Sequence, residues 1–190
     1  MYDCAWSEEN ENYLVSATGD GSVKLWNVNS PERHPLRSYE EHTAEVYAVD
    51  WNLVQKGTFV SGSWDESIKL WNPEVSNSLA TFREHKSCVY STVWSPYNGD
   101  LFASASGDMT VKVWDTRHPQ SVQTIFAHNH EVLTCDWNKY NEYTLVTGSV
   151  DKTIKLWDIR NTAKGPRGTL RGHNYAVRRY ACSSLLYFGF

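Results

Sequence analysis

The chain has 190 residues, of which 41% are hydrophobic, 14% aromatic and 21% charged, with a formal net charge of −4. Without a basic block it lacks the phosphate-neutralising surface on which non-specific nucleic-acid binding rests, so no nucleic-acid partner is expected. No apolar stretch reaches the roughly 20 residues of a membrane span, and residues 1–6 carry neither a basic start nor an apolar run, so no secretory signal and no membrane insertion are expected. The four cysteines (Cys4, Cys88, Cys135, Cys182) sit in apolar runs without CxxC spacing. They read as buried, reduced thiols that act as small hydrophobes, which suits the cytosol.

In chain order, the first unit (about 1–40) places short apolar runs around Trp6 and Trp26, with a turn at Gly19-Asp20-Gly21. The second (41–83) opens on His42, runs to Trp51, resumes over 58–63 and turns at Trp64-Asp65-Glu66. It then continues over 67–71 and ends on 78–82. The third (84–126) and fourth (127–170) repeat this order from His85 and His128, and a fifth begins at 171–179 with His173. The tail 180–190 is apolar and has no counterpart in the repeat, which breaks where Cys182 stands in place of an aromatic.

Two tryptophan series, Trp6-Trp51-Trp94-Trp137 and Trp26-Trp71-Trp114-Trp157, both advance by 45, 43 and 43 residues, and Asp20-Asp65-Asp108-Asp151 keeps the same step. A fixed period of this length signals copies of one supersecondary unit. The runs within a unit alternate apolar with small or polar residues over five to seven positions, are rich in Val, Ile, Thr and aromatics, and are bounded by Gly, Asn, Asp and Pro, which is strand chemistry. No segment shows a sustained helical period. Each unit is therefore predicted to be a four-stranded antiparallel meander, and the chain to be all-β.

The Glu-His start of the units at His42 and His85, the Asp turn and the closing Trp71-Asn72, Trp114-Asp115 and Trp157-Asp158 resemble the WD repeat. That resemblance implies a β-propeller, here incomplete, with about four of seven blades. It also implies a hydrogen-bonded set inside each blade: His42, Asp65 and Trp71 with Ser61 or Ser63; His85, Asp108 and Trp114 with Ser104 or Ser106; His128, Asp151 and Trp157 with Thr147 or Ser149. A His–Asp–Ser grouping invites comparison with a hydrolase triad, but an active site occurs once per fold and this set recurs from unit to unit. Its expected role is to satisfy buried polar groups. His128 and His130 form a lone HxH without the further ligands of a zinc site, and no phosphate loop or nucleophile elbow is found. The chain is read as non-enzymatic, with no cofactor and no metal.

In the WD family, the positions three and five residues after the histidine, and the one before the turn aspartate, face the mouth of the channel. Mapped here, they give Glu45, Tyr47 and Trp64; Cys88, Tyr90 and Gly107; Glu131, Leu133 and Val150; then Ala176 and Arg178, with Tyr2 and Gly19 in the first unit. The peptide-binding candidates are Glu45, Tyr47, Trp64, Tyr90, Glu131, Leu133, Val150 and Arg178. Two carboxylates in an aromatic and aliphatic field suit a short amphipathic peptide with a basic residue.

Residues 45–51, 61–65, 89–96, 135–142 and 173–179 are similar, beyond the generic repeat, to the peroxisomal type-2 targeting-signal receptors. The resemblance implies a cytosolic receptor that cycles to the peroxisome. Its partners would be cargo bearing the type-2 signal (thiolase, for instance), a co-receptor such as the type-1 signal receptor, and peroxisomal docking proteins. The alternative is a generic WD-repeat scaffold in a multiprotein complex. An open propeller leaves sheet edges and faces unpaired, so this chain alone is expected to be marginally stable, prone to aggregate and a poor cargo binder.

Overall fold

The structure, a computed structural model, describes residues 1–178. The expected divergent tail 180–190, with Cys182, and residue 179 lie outside the described residues. Sixteen strands are present among them, grouped into four sheets of four, each a simple meander in chain order. The first holds β1 (Asp3–Trp6), β2 (Tyr13–Ala17), β3 (Val23–Asn27) and β4 (Arg37–Tyr39); the second β5 (Val46–Trp51), β6 (Phe59–Ser63), β7 (Ile68–Trp71) and β8 (Ala80–Phe82). The third holds β9 (Val89–Trp94), β10 (Leu101–Ser106), β11 (Thr110–Asp115) and β12 (Ser121–Phe126), and the fourth β13 (Val132–Trp137), β14 (Thr144–Ser149), β15 (Ile154–Asp158) and β16 (Gly168–Leu170). A single 3-10 turn, Thr162–Lys164, interrupts the β15–β16 connection. The fold is all-β, with four propeller blades.

The core lies between blades rather than within them. One apolar cluster joins Val15, Val23 and Leu25 of the first blade to Val49, Trp51 and Phe59 of the second. A second joins Val60, Ile68 and Phe82 to Val89, Trp94 and Phe102, and a third joins Ala103, Val111 and Val113 to Cys135, Trp137 and Leu145. The strand alternation read from sequence therefore serves two faces, each buried against a neighbouring sheet. Trp94 and Trp137 also donate their indole N–H to the Asp50 and Val93 carbonyls of the preceding blade, each at 3.2 Å.

The outer face of the first blade has no neighbour among the described residues. Trp6 is 54% exposed while its counterparts Trp51, Trp94 and Trp137 are 2–3% exposed. Cys4, on the same strand, is exposed too. The expectation of a buried thiol is corrected there, and the cause is that no sheet covers that face among the described residues. Cys88 is half-buried and Cys135 buried. At the other end Val177 is buried, its N–H donating to the Ser149 carbonyl at 3.0 Å, as Val46 N–H does to Thr18 at 3.1 Å. The beginning of a fifth unit is thus seated on the fourth blade.

Inside the blades the repeating polar residues close on one another. His42 Nδ1 lies 2.9 Å from Asp65, His42 Nε2 lies 2.7 Å from Ser61 Oγ, and Trp71 Nε1 donates to that same oxygen at 2.8 Å. The third blade repeats this through His85, Asp108, Ser104 and Trp114 at 2.8, 2.7 and 2.8 Å. The fourth repeats it through His128, Asp151, Thr147 and Trp157 at 2.7, 2.8 and 3.1 Å. Each hydroxyl accepts from the indole; the carboxylate can only accept, so Nδ1 carries the proton that faces it, and Nε2 of the neutral ring is left to accept from the hydroxyl. Ser61 and Ser104 are wholly buried, so neither hydroxyl is accessible to a substrate. Ser63 does different work, donating to the Glu45 carbonyl at 2.9 Å and accepting from Asp65 N–H at 3.1 Å.

Candidate functional site

The aspartate of each set also ties together the two connections that form the upper rim. Asp65 accepts from Thr43 N–H at 3.1 Å in the β4–β5 connection and from Ser67 N–H at 2.9 Å in its own turn. Asp108 does the same with Lys86 and Thr110, both at 3.0 Å. Burial alone would raise these carboxyls, but hydrogen bonds from the histidine, the following Ser or Thr and the backbone hold Asp65, Asp108 and Asp151 below the usual carboxylate range. The residue after each aspartate takes a left-handed conformation: Gly21, Glu66, Met109 and Lys152 have φ of 84°, 69°, 70° and 66°. Only the first is glycine.

The first and last of the three rim positions of a blade are joined by a backbone bond. Trp64 N–H donates to the Glu45 carbonyl at 2.9 Å, Gly107 N–H to Cys88 at 2.9 Å and Val150 N–H to Glu131 at 3.1 Å. The middle position is a β-bulge each time. Val46 pairs with Ser63 and Ala48 with Gly62, leaving Tyr47 over; Tyr90 and Leu133 are left over in the same way between Val89 and Ser91 and between Val132 and Thr134. A bulge re-aims its side chain and strengthens the local twist, so Tyr47, Tyr90 and Leu133 leave the inter-blade core and line a channel cavity of about 640 Å³.

At this mouth Tyr2 stacks on Tyr47 at 4.5 Å between ring centroids, and Tyr47 stacks on Trp64 at 5.7 Å. Tyr90 stands nearly perpendicular to both, 5.6 Å from Tyr47 and 6.3 Å from Trp64. Its hydroxyl donates to Glu131 at 3.3 Å. Burial and the Glu131 charge push the Tyr90 phenol up to about 12, and burial raises the Cys88 thiol, with Glu131 and Glu66 adding to it. The tyrosines rest on the residue before the turn: the Gly107 Cα lies so near Tyr90 that a Cβ would stand 3.4 Å from the ring and 2.7 Å from Ser87 Oγ. In the second blade that place belongs to Trp64, which is 39% exposed.

The structure brings Tyr47, Trp64, Tyr90 and Glu131 together, with Leu133 beside them on the cavity wall and Val150 bonded to the Glu131 backbone. Glu45 is half-buried and contributes its carbonyl to Trp64 and Ser63. Arg178 is exposed and lines the same cavity. Tyr2, in register with Tyr47, extends the stack. Glu66 was not among the binding candidates. It adds negative charge beside Cys88 from a turn position whose backbone shape no sequence motif announces. Deeper in the channel Asp50 accepts from Trp94 N–H at 2.6 Å, and burial, with Asp3 and Asp136 near, raises its carboxyl to about 8.

Four meanders, three of them with the His–Asp–Ser/Thr–Trp network, define a WD-type propeller, and the profile described as WD domain, G-beta repeat matches residues 1–27, 33–72, 76–115 and 119–158. The chain belongs to that family. Each matched segment after the first begins with the last strand of one blade and ends with the third strand of the next, so every repeat bridges two blades. Among curated proteins the chain is similar to the peroxisomal targeting signal 2 receptor of Dictyostelium discoideum, 61% identical over 79 residues (41% of this chain, 25% of that protein). The receptor of the same name from Mus musculus is 49% identical over 82 residues (43% and 26%), and that of Saccharomyces cerevisiae 33% over 81 residues (43% and 21%). The matched stretch thus spans about a quarter of the length of these relatives.

Proposed function

We propose that the upper mouth binds the N-terminal type-2 peroxisomal targeting signal of cargo proteins, as part of their import into the peroxisomal matrix. The observation that carries this reading is the Tyr2–Tyr47–Trp64 stack with Tyr90 set across it and bonded to Glu131. An amphipathic signal would lay its apolar face on the rings and Leu133, and its basic residue would reach Glu131 across Tyr90, combining ion pairing with cation–π attraction. The similarity to receptors named for that signal supports the same conclusion. On this reading the protein works in the cytosol and at the peroxisome, with a co-receptor such as the type-1 signal receptor and with the docking proteins, and carries out no catalysis.

The test is a pull-down with an intact type-2 nonapeptide and one whose basic start is replaced by glutamine, on this chain and on a version completed to seven blades. The completed version should retain only the intact peptide and lose about tenfold in affinity with either Glu131→Gln or Trp64→Ala. The four-blade chain should retain much less. Equal retention of both peptides by the completed version, or indifference to both substitutions, would show that the mouth is not a signal receptor.

A further inference from the structure

A second cavity, about 710 Å³, opens at the lower end of the junction between the first and second blades, at the opposite end of the strands from the mouth. The other two junctions are bridged there by side chains. Asn52 and Gln55 reach the Gly99 carbonyl and Asp100 at 2.8 and 2.7 Å, and Tyr97 OH reaches the Lys139 carbonyl at 2.5 Å. At the first junction no side-chain hydrogen bond joins the corresponding loops among the described residues, and Glu9 approaches Gly57, where a Cβ would lie 3.9 Å from the carboxylate.

A buried donor is left over in this gap. Arg37 holds the strand position that Gln123 holds two blades on, each paired with the residue just before the closing tryptophan of its blade. Gln123 crosses to the next blade and donates to the Ile159 carbonyl at 2.8 Å. The equivalent carbonyl for Arg37 is that of Pro73, and Tyr39 OH already donates to it at 3.0 Å. The hydroxyl is peculiar to this blade, since Phe82 and Ile125 stand at the same place in the next two. Arg37 as a whole is half-buried and its guanidinium lies against the Tyr39 hydroxyl, but its Nη1 is buried and makes no hydrogen bond among the described residues, a costly state for a donor on a charged group. Around it, exposed Leu36 and half-buried Tyr13 and Pro73 supply apolar surface, and Glu9, Glu11 and Glu74 place three exposed carboxylates on the rim.

We propose that this groove docks an extended segment of a partner protein in which an apolar residue is flanked by Lys or Arg. A backbone carbonyl of the segment meets Arg37 Nη1, the apolar side chain covers Leu36 and Pro73, and the flanking cations pair with the rim carboxylates. The three carboxylates disfavour a free anion or an acidic peptide. This site is separate from the mouth and from any closure of the propeller, because both blades that form it are present.

The probe is a fluorescein-labelled Gly-Lys-Leu-Lys-Leu-Lys amide, compared with its Glu-for-Lys counterpart, in anisotropy titrations of the 190-residue chain at low salt. A form with benzoylphenylalanine in place of the first leucine maps contacts by cross-linking and mass spectrometry. The basic peptide should bind and the acidic one should not, with cross-links at residues 36 and 73. Glu9→Gln with Glu74→Gln, both exposed, should weaken binding about tenfold, and Glu131→Gln at the mouth should leave it unchanged. Arg37→Met should weaken binding about threefold while raising the thermal midpoint of the free chain, because it removes an unpaired buried donor; a purely structural arginine would lower that midpoint. Cross-links confined to the mouth, equal binding of the two peptides, or affinity indifferent to the groove substitutions would overturn the proposal.

Discussion

Ser61 illustrates how much rests on single hydroxyls in this molecule. It accepts from Trp71, donates to His42 and is wholly buried, so Ser61→Ala strands two buried groups at once. Each unpaired buried group costs about 1–3 kcal/mol. Urea unfolding should therefore show a loss in that range or above it, whereas His130→Ala, at an exposed residue, should change stability by less than about 0.5 kcal/mol. The sequence narrowed the hydroxyl to Ser61 or Ser63 but could not choose, since both lie on β6 and point to the same face. The distances choose Ser61 and give Ser63 to the rim. The left-handed turn residues make a second residue-scale case. Met109 has φ 70° and is exposed, and Gly21 already fills the same place in the first blade. Met109→Gly should raise stability by about 0.5–1 kcal/mol in the same assay.

At the scale of the element, a blade is held by carboxylates whose ionisation sets its response to pH. Glu41 accepts from Lys69 at 2.9 Å and from Ser78 Oγ at 2.7 Å; burial opposes its charge, but these bonds win and lower it to about 2. Glu84 repeats the arrangement with Lys112 and Ser121. A carboxyl depressed on folding adds stability that is present above its unfolded value, 4.5 for Glu41, and is lost as pH falls toward about 2. The three turn aspartates act in the same direction from 3.8 downward. Asp50 works the other way. Its carboxyl is raised to about 8, so the folded state keeps a proton that the unfolded chain releases near 3.8, and its contribution declines as pH rises between those values. Stability measured by denaturant from pH 4 to 8 should fall less steeply in Asp50→Asn, whose amide oxygen can still accept from Trp94 N–H. An unchanged slope would show that Asp50 ionises normally. The strands and their order were legible from alternation and turn residues, but the bulges at Tyr47, Tyr90 and Leu133 were not. A bulge leaves the composition of a strand unchanged and is fixed by the twist needed where β5, β9 and β13 approach the channel.

For the whole molecule, the decisive fact is that burial occurs between blades. Trp51, Trp94 and Trp137 are buried because a preceding blade covers them, and Trp6, chemically the same, is exposed because none is present among the described residues. Such an uncovered apolar face invites association. Light scattering on the isolated chain should report concentration-dependent association, and Trp6→Gln should reduce it with little change in far-ultraviolet circular dichroism; a strictly monomeric parent chain would contradict this. The period of the tryptophans and aspartates determined by itself that the protein is all-β, that its units are four-stranded meanders, and that its His–Asp sets belong to the framework, because those properties depend on spacing within one repeat. Only the tertiary structure decided which rim residues meet. Tyr2, Tyr47, Trp64, Tyr90 and Glu131 come from four blades and up to 129 positions apart, and the contacts among them arise from bulges and from neighbouring sheets packing side by side. The Arg37 nitrogen left without a hydrogen bond was equally hidden, since it depends on how Arg37 and Tyr39, two residues apart on β4, meet the Pro73 carbonyl of the next blade.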